Sequence, residues 1–181
     1  MELPQRKNHR LKQFDYGGYG YYYVTVCVKN RENILCDIVG DDATVVPSEM
    51  GKKVIACWNN IAILNENVEV NKFVLMPNHI HGILVIKNVE PIEEKTKKYA
   101  FEITERRGRR SLQGLIKDFK SVTTRYFKKL YNTDMSLWQE SFYEEIIKSR
   151  EQYSKVWQYI DTNPIKWQMD ELNDKKIHPK P

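Results

Sequence analysis

The sequence has no C-x-x-C pair, no apolar leader, no internal repeat and no long hydrophobic run, and each absence removes a class of protein. Its three cysteines, Cys27, Cys36 and Cys57, form an odd set that suits neither a disulfide frame nor a zinc knuckle and fits reduced thiols in a cytosol. The stretch Met1–Gln13 is polar and basic, and the longest apolar runs, such as Ile83–Ile86, fall far short of the roughly 18 residues that span a bilayer. The expectation is a cytoplasmic chain that is neither exported nor inserted into a membrane. Aromatic residues are plentiful, at 12% with four Trp and eleven Tyr, too many for a disordered chain. With 181 residues, 41% hydrophobic and 29% charged, the composition fits one packed domain. That domain is read as residues 1–167, followed by a polar, frayed tail over 168–181.

Charge is unevenly spread. The net +5 hides a basic start (Arg6, Lys7, Arg10 and Lys12 against Glu2) and a strongly basic stretch over 95–130, where twelve Lys or Arg face only Glu102, Glu105 and Asp118. Such a division suggests a cationic face for phosphate, although a solvated Lys/Arg helix face has the same composition.

Tyr21–Val28 is aromatic and β-branched and reads as a strand. Ser48 opens a helix that runs to Leu64 on the spacing of Met50, Val54, Ile55, Trp58 and Ile61. Val68–Leu75 and His79–Ile86 read as antiparallel neighbours across the short Met76-Pro77-Asn78 turn. Residues 87–110 lose periodicity and read as a loop, with a possible short strand at Tyr99–Ile103. Ser111 caps a basic amphipathic helix. Leu137–Ile147 is ambiguous, and a third helix spans Arg150–Thr162 before Pro164, with the stripe Tyr153, Val156, Trp157 and Ile160. The pattern predicts an α+β fold, a ferredoxin-like antiparallel sheet with helices packed on one face.

The chemistry centres on Pro77-Asn78-His79-Ile80-His81-Gly82. On a strand, residues two apart share a face, so His79 and His81 can offer two imidazoles to one divalent ion while Ile80 points into the core. An H-x-H pair by itself describes ordinary hydrogen-bonded histidines more often than a metal site. Two nitrogens leave a metal with open positions, so a third ligand is needed. Tyr159 and Asn163 are i,i+4 neighbours on the last helix, a phenol and a carboxamide on one rigid element. Without the histidines they would read as a surface tyrosine and a helix C-cap.

Six fragments together resemble the REP-associated tyrosine transposases, relatives of the small single-tyrosine HUH transposases that cut and join single-stranded DNA. They are Arg10–Tyr16, Tyr23–Cys27, Met76–Gly82, Phe119-Lys120-Ser121, Leu137–Tyr143 and Tyr159–Pro164, and their order and spacing cover most of the chain. The resemblance implies that His79 and His81 bind Mg²⁺ or Mn²⁺, that Asn163 completes the protein ligands and that Tyr159 is the nucleophile. A related branch carries Gln where this chain has Asn163. It further implies a single-stranded DNA partner with REP-like palindromic hairpins, no membrane, and a monomer or homodimer. DNA contacts are expected from Arg6, Lys7, Arg10, Lys12, Arg106, Arg107, Arg109, Arg110, Lys117, Lys120 and Arg125, and base stacking could involve Tyr19, Tyr21 or Tyr22. Glu144 and Glu145 read as solvated. Two other readings stand beside this one: a catalytically inactive nucleic-acid-binding module of the same fold, and a zinc hydrolase, for which the sequence offers no obvious third strong ligand.

Overall fold

The computed structural model describes residues 20–87 and 111–173. Strands β1 (Gly20–Cys27), β4 (Val68–Met76), β5 (His79–Ile86) and β6 (Tyr143–Ile147) form one antiparallel sheet in the order β4-β5-β1-β6. Helix α1 (Glu49–Leu64) joins β1 to β4, and α2 (Leu112–Tyr131) lies between β5 and β6 in the chain. This is the β-α-β-β-α-β connectivity of a ferredoxin-like fold, so the α+β expectation holds. Two additions extend it: a hairpin of β2 (Cys36–Val39) and β3 (Thr44–Pro47) before α1, and helix α3 (Arg150–Thr162) after β6.

Alternation along the strands sorts side chains onto two faces. Tyr22, Val24 and Val26 of β1 and Ile80, Leu84 and Ile86 of β5 join Trp58, Met50 and Phe119 in the main core, beneath α1 and α2. Tyr23 and Ile83 point the other way and meet Ile147 and Ile160 in a smaller cluster under α3, flanked by Tyr153, Val156 and Trp157. Helices α1 and α2 therefore share a face as expected, while α3 lies on the opposite one; an apolar stripe specifies that a helix packs, not which side of a sheet receives it. Gly82 explains itself: a Cβ there would sit 2.3 Å from Trp58 Cζ2, so the glycine lets the indole lie against β5.

The helices begin where serines cap them. Ser48, Ser111 and Ser149 accept from the amides of Gly51, Gly114 and Gln152 at 3.0, 3.2 and 3.1 Å, each satisfying a donor that the first turn leaves open. The ambiguous stretch 137–147 divides: Leu137 and Trp138 are buried, Trp138 bridges to Val28, and only Tyr143–Ile147 is strand. The frayed tail expected from residue 168 does not begin there. A 3₁₀ turn at Trp167–Met169 carries the chain back to the sheet, Asn78 Nδ2 donates to Leu172 O at 2.8 Å, and Asn173 is buried. Tyr22, weighed as a base-stacking residue, is a core residue. Tyr19 and the possible strand at 99–103 lie outside the described residues. Among those described, no helix is long and apolar enough to cross a membrane.

Candidate active site

His79 and His81 project from β5 onto the face that carries α3, with their Nε2 atoms 3.0 Å apart. Their outer nitrogens are held by a different partner set each. Asn78 donates through Nδ2 to Arg31 O and Leu172 O at 3.2 and 2.8 Å, which orients its Oδ1 as the acceptor for His79 Nδ1 at 2.8 Å. His79 therefore carries its proton on Nδ1 and presents a lone pair at Nε2. His81 Nδ1 lies 2.8 Å from both Thr25 Oγ1 and Tyr23 Oη. Hydroxyls rotate, so Thr25 and Tyr23 can serve either tautomer of His81. One tautomer donates Nε2–H to His79; the other presents a second lone pair to the same point.

Burial keeps both rings neutral. It lowers the His79 pKa well below the usual imidazole value, helped by the neighbouring His81 and Arg31, and takes His81 down to about 3. Neutral imidazoles are the form that binds metals.

Asp170, set by the 3₁₀ turn, brings a carboxylate to the pair: its Oδ2 is 4.0 Å from His79 Nε2 and its side chain is only 5% exposed. Donor atoms of His79, His81 and Asp170 all lie within 4.8 Å of one another. Asn163, one residue beyond α3, is buried, and its Oδ1 has no hydrogen-bond partner among the described residues. An orphaned buried acceptor is costly unless something meets it. Two imidazole lone pairs, a carboxylate and an unsatisfied carbonyl suit a divalent cation, and an Nε2 separation of 3.0 Å is what two neighbouring ligands about 2.1 Å from a shared ion require.

Tyr159 stands one helical turn before Asn163. Its ring centroid is 5.3 Å from that of His81 and 6.3 Å from that of Tyr23, and the residue is 44% exposed. Its pKa is raised, first by burial and next by the charge of Asp170, while hydrogen bonds from Asn163 and Tyr23 act the other way. At neutral pH it rests as the phenol. Tyr159, Asn163, His81 and Asp170 open into one cleft of about 1130 Å³, which Gln139, Tyr143 and Lys166 also line.

The four residues expected to do chemistry thus converge from β5 and α3. The expected DNA-binding residues do not all join them. Lys117, Lys120 and Arg125 lie on α2, which packs on the opposite sheet face. Lys117 and Arg125 are exposed, whereas Lys120 is half-buried and donates to Gln139 O and Glu140 O at 2.7 and 2.8 Å, with its pKa lowered by burial. Arg6, Lys7, Arg10, Lys12, Arg106, Arg107, Arg109 and Arg110 lie outside the described residues. Asp170 escaped the sequence reading because its segment is polar and aperiodic. Thr25 and Tyr23 were within reach, since both share a face on β1 and Thr25 pairs with His81 in the sheet register.

No family model matches the chain. An uncharacterized protein of Haemophilus influenzae is 31% identical over 175 residues, covering 94% of each chain. Two solved structures are more distant. A REP-associated tyrosine transposase bound to a REP hairpin aligns at 17% identity and a TM-score of 0.49, over 82% of this chain and 68% of that one. A candidate transposase of Deinococcus radiodurans aligns at 15% identity and a TM-score of 0.45, over 84% and 95%.

Proposed function

We propose that this chain, which belongs to the same family as the uncharacterized Haemophilus influenzae protein, is a divalent-metal-dependent transesterase that nicks and rejoins single-stranded DNA through Tyr159. The observation that carries the reading is the placement of a half-exposed Tyr159 ring 5.3 Å from His81, one turn from the unsatisfied Asn163 Oδ1. A phenol poised there can attack phosphorus directly, as a nucleophile of covalent catalysis does.

His79, His81 and Asp170 would hold the ion, with Asn163 Oδ1 as a further donor. A bound divalent cation would draw charge from a phosphodiester oxygen and ease both attack on phosphorus and departure of the leaving oxygen. Thr25 and Tyr23 hold the His81 ring, and Asn78 fixes the His79 tautomer. Tyr23 flanks the Tyr159 phenol edge-on, with ring centroids 6.3 Å apart. Tyr159 Oη gives up its proton as it forms a bond to phosphorus, the bond from phosphorus to the 3′-oxygen breaks, and that oxygen takes up a proton and leaves as a 3′-OH. The resulting 5′-phosphotyrosine is itself a phosphodiester, so attack by another 3′-OH reverses the step and seals DNA without a nucleotide cofactor. A mixed nitrogen and oxygen donor set favours Mn²⁺ somewhat over Mg²⁺. The resemblance of the sequence motifs to the REP-associated transposases supports imperfect-palindrome hairpins as the DNA. Exposed Lys117 and Arg125 supply sequence-independent phosphate contacts.

A second reading gains from Asp170, which would supply the strong third ligand for which the sequence offered no candidate: a hydrolase in which metal-activated water attacks. One experiment separates the two. End-labelled single strands from the DNA flanking the gene are incubated with Mn²⁺ or Mg²⁺ and resolved on denaturing gels, with Tyr159→Phe and His79→Ala beside the parent. A covalent band that needs metal, His79 and Tyr159 supports transesterification. Cleavage that survives Tyr159→Phe supports water, and binding without any cleavage supports an inactive nucleic-acid-binding module.

A further inference from the structure

We propose that Tyr143 is the stacking platform for the unpaired nucleobase beside the scissile phosphate, an inference that rests on the transesterase reading above. The cleft holds two half-exposed tyrosines, Tyr159 at 44% and Tyr143 at 46%. Each stands edge-on to the same buried ring: Tyr23 is 6.3 Å from Tyr159 at 90° and 6.0 Å from Tyr143 at 68°. The reactive phenol and a second aromatic surface therefore flank one rigid ring on the floor of one cleft.

Tyr143 is held as a binding surface rather than packed as core. It begins the edge strand β6 and pairs with Thr25, which places its ring on the His81 side of the sheet. Its hydroxyl donates to Glu145 Oε2 at 3.0 Å, and Glu145 Oε1 accepts from Gln152 Nε2 of α3 at 2.7 Å. This chain fixes the ring while leaving almost half of it open. A rigid exposed aromatic face loses little entropy when a planar ligand stacks on it.

The lining of the cleft divides accordingly. Asp170, Glu171 and Lys166 come from the C-terminal segment beside the metal donors, where a phosphate would lie. The loop into β6 and the start of that strand bring the Gln139 amide, the Ser141 hydroxyl and the Tyr143 ring to the same cleft, together with Glu144, whose carboxylate accepts from Gln113 Nε2 of α2 at 3.3 and 3.2 Å. An amide and a hydroxyl can meet the donor and acceptor edges of a base, and an aromatic face accepts any base. Metal donors from β5 and the C-terminal segment, with aromatic and amide groups from the loop into β6, match the two parts of a nucleotide, its phosphate and its base.

The test is a scan of single abasic positions. A fluorescein-labelled single strand from the gene flank used for nicking is made with one base removed at each position in turn, and binding is measured on Tyr159→Phe protein to prevent turnover. Removing the base next to the cut should weaken binding roughly 5- to 150-fold, the contribution of one base–aromatic stack. Adding Tyr143→Ala should weaken binding to the intact strand by a similar factor and make that abasic position indifferent. Tyr143→Phe should restore the sensitivity, which a loss of fold would not allow, and thermal melting checks each variant. If the parent forms the Tyr159 adduct yet Tyr143→Ala leaves the abasic profile unchanged, this inference is overturned and the transesterase reading stands. If no strand is bound or joined at all, both are overturned.

Discussion

One sheet serves two chemically opposite faces. Beneath α1 and α2, Tyr22, Val24, Val26, Ile80 and Leu84 pack around Trp58 with almost no exposed surface. On the α3 side, the very next residues of the same strands are Tyr23, Thr25, His79 and His81, buried yet polar and joined by hydrogen bonds, and all but His79 line a cleft. The first face repays burial through apolar area and close packing. The second places neutral nitrogen and oxygen donors in low dielectric, where each must find a partner or remain unsatisfied. The contrast shows how a period-two pattern lets a small domain build a stable core and a reactive site from the same eight-residue strands.

The comparison breaks most sharply with a pair of substitutions. Trp58→Ala empties the centre of the apolar face and should cost about 3–5 kcal/mol in urea unfolding, while any protein still folded retains the Tyr159 adduct. Tyr159→Phe should do the reverse: stability within about 0.5 kcal/mol of the parent, as for other exposed positions, and no adduct.

Acid should unsettle the polar face through its buried histidines. The His81 pKa is lowered by burial to about 3 and His79 shifts the same way, whereas an unfolded imidazole titrates near 6.5. As pH falls below about 6.5, the unfolded chain takes up protons that the folded chain refuses. The His81 contribution to the stability of the metal-free protein should therefore decline from about pH 6.5 and level off near pH 3, by an amount on the order of a few kcal/mol, with His79 acting in the same direction. Urea titrations across that range check the slope, and a His79→Gln, His81→Gln double variant should flatten it.

A finer test removes one hydroxyl. Thr25→Val keeps the shape of β1 but takes away one of the two partners of His81 Nδ1, and groups that orient a metal-binding histidine typically contribute 10- to 100-fold in affinity. Calorimetric titration with Mn²⁺ should show a loss in roughly that range with the fold intact.

The smallest effect concerns α2. Lys120 is spent on two backbone carbonyls, so Lys120→Met should cost about 1 kcal/mol of stability and leave the salt dependence of DNA binding nearly unchanged. Lys117→Ala and Arg125→Ala should instead reduce that salt slope by about one unit each.

The sequence made the strongly periodic elements legible. The bounds of β5 and α3 were readable because alternation, serine caps and a following proline act locally. The hairpin of β2 and β3 was not, since four-residue strands interrupted by Asp37, Gly40, Asp41 and Asp42 carry too short a pattern. The histidines, Tyr159 and Asn163 were legible as candidates through spacing and resemblance. Asp170 was not, because nothing local distinguishes it from a solvated tail residue; only the return of residues 167–173 across the sheet end brings it to His79. Lys120 misled in the opposite direction, as a cation whose long-range partners are carbonyls.

The central claim is that Tyr159 forms a covalent bond to DNA, and peptide mapping tests it most directly. Protein incubated with Mn²⁺ and flanking single strands is digested with nuclease and protease, and the nucleotide remnant is located by mass spectrometry. A 5′-phosphate remnant on the peptide at Tyr159, lost with EDTA and with His79→Ala, is the expected result. A remnant on Tyr143 or Tyr23, or strand cleavage that leaves no remnant on any tyrosine, would contradict it.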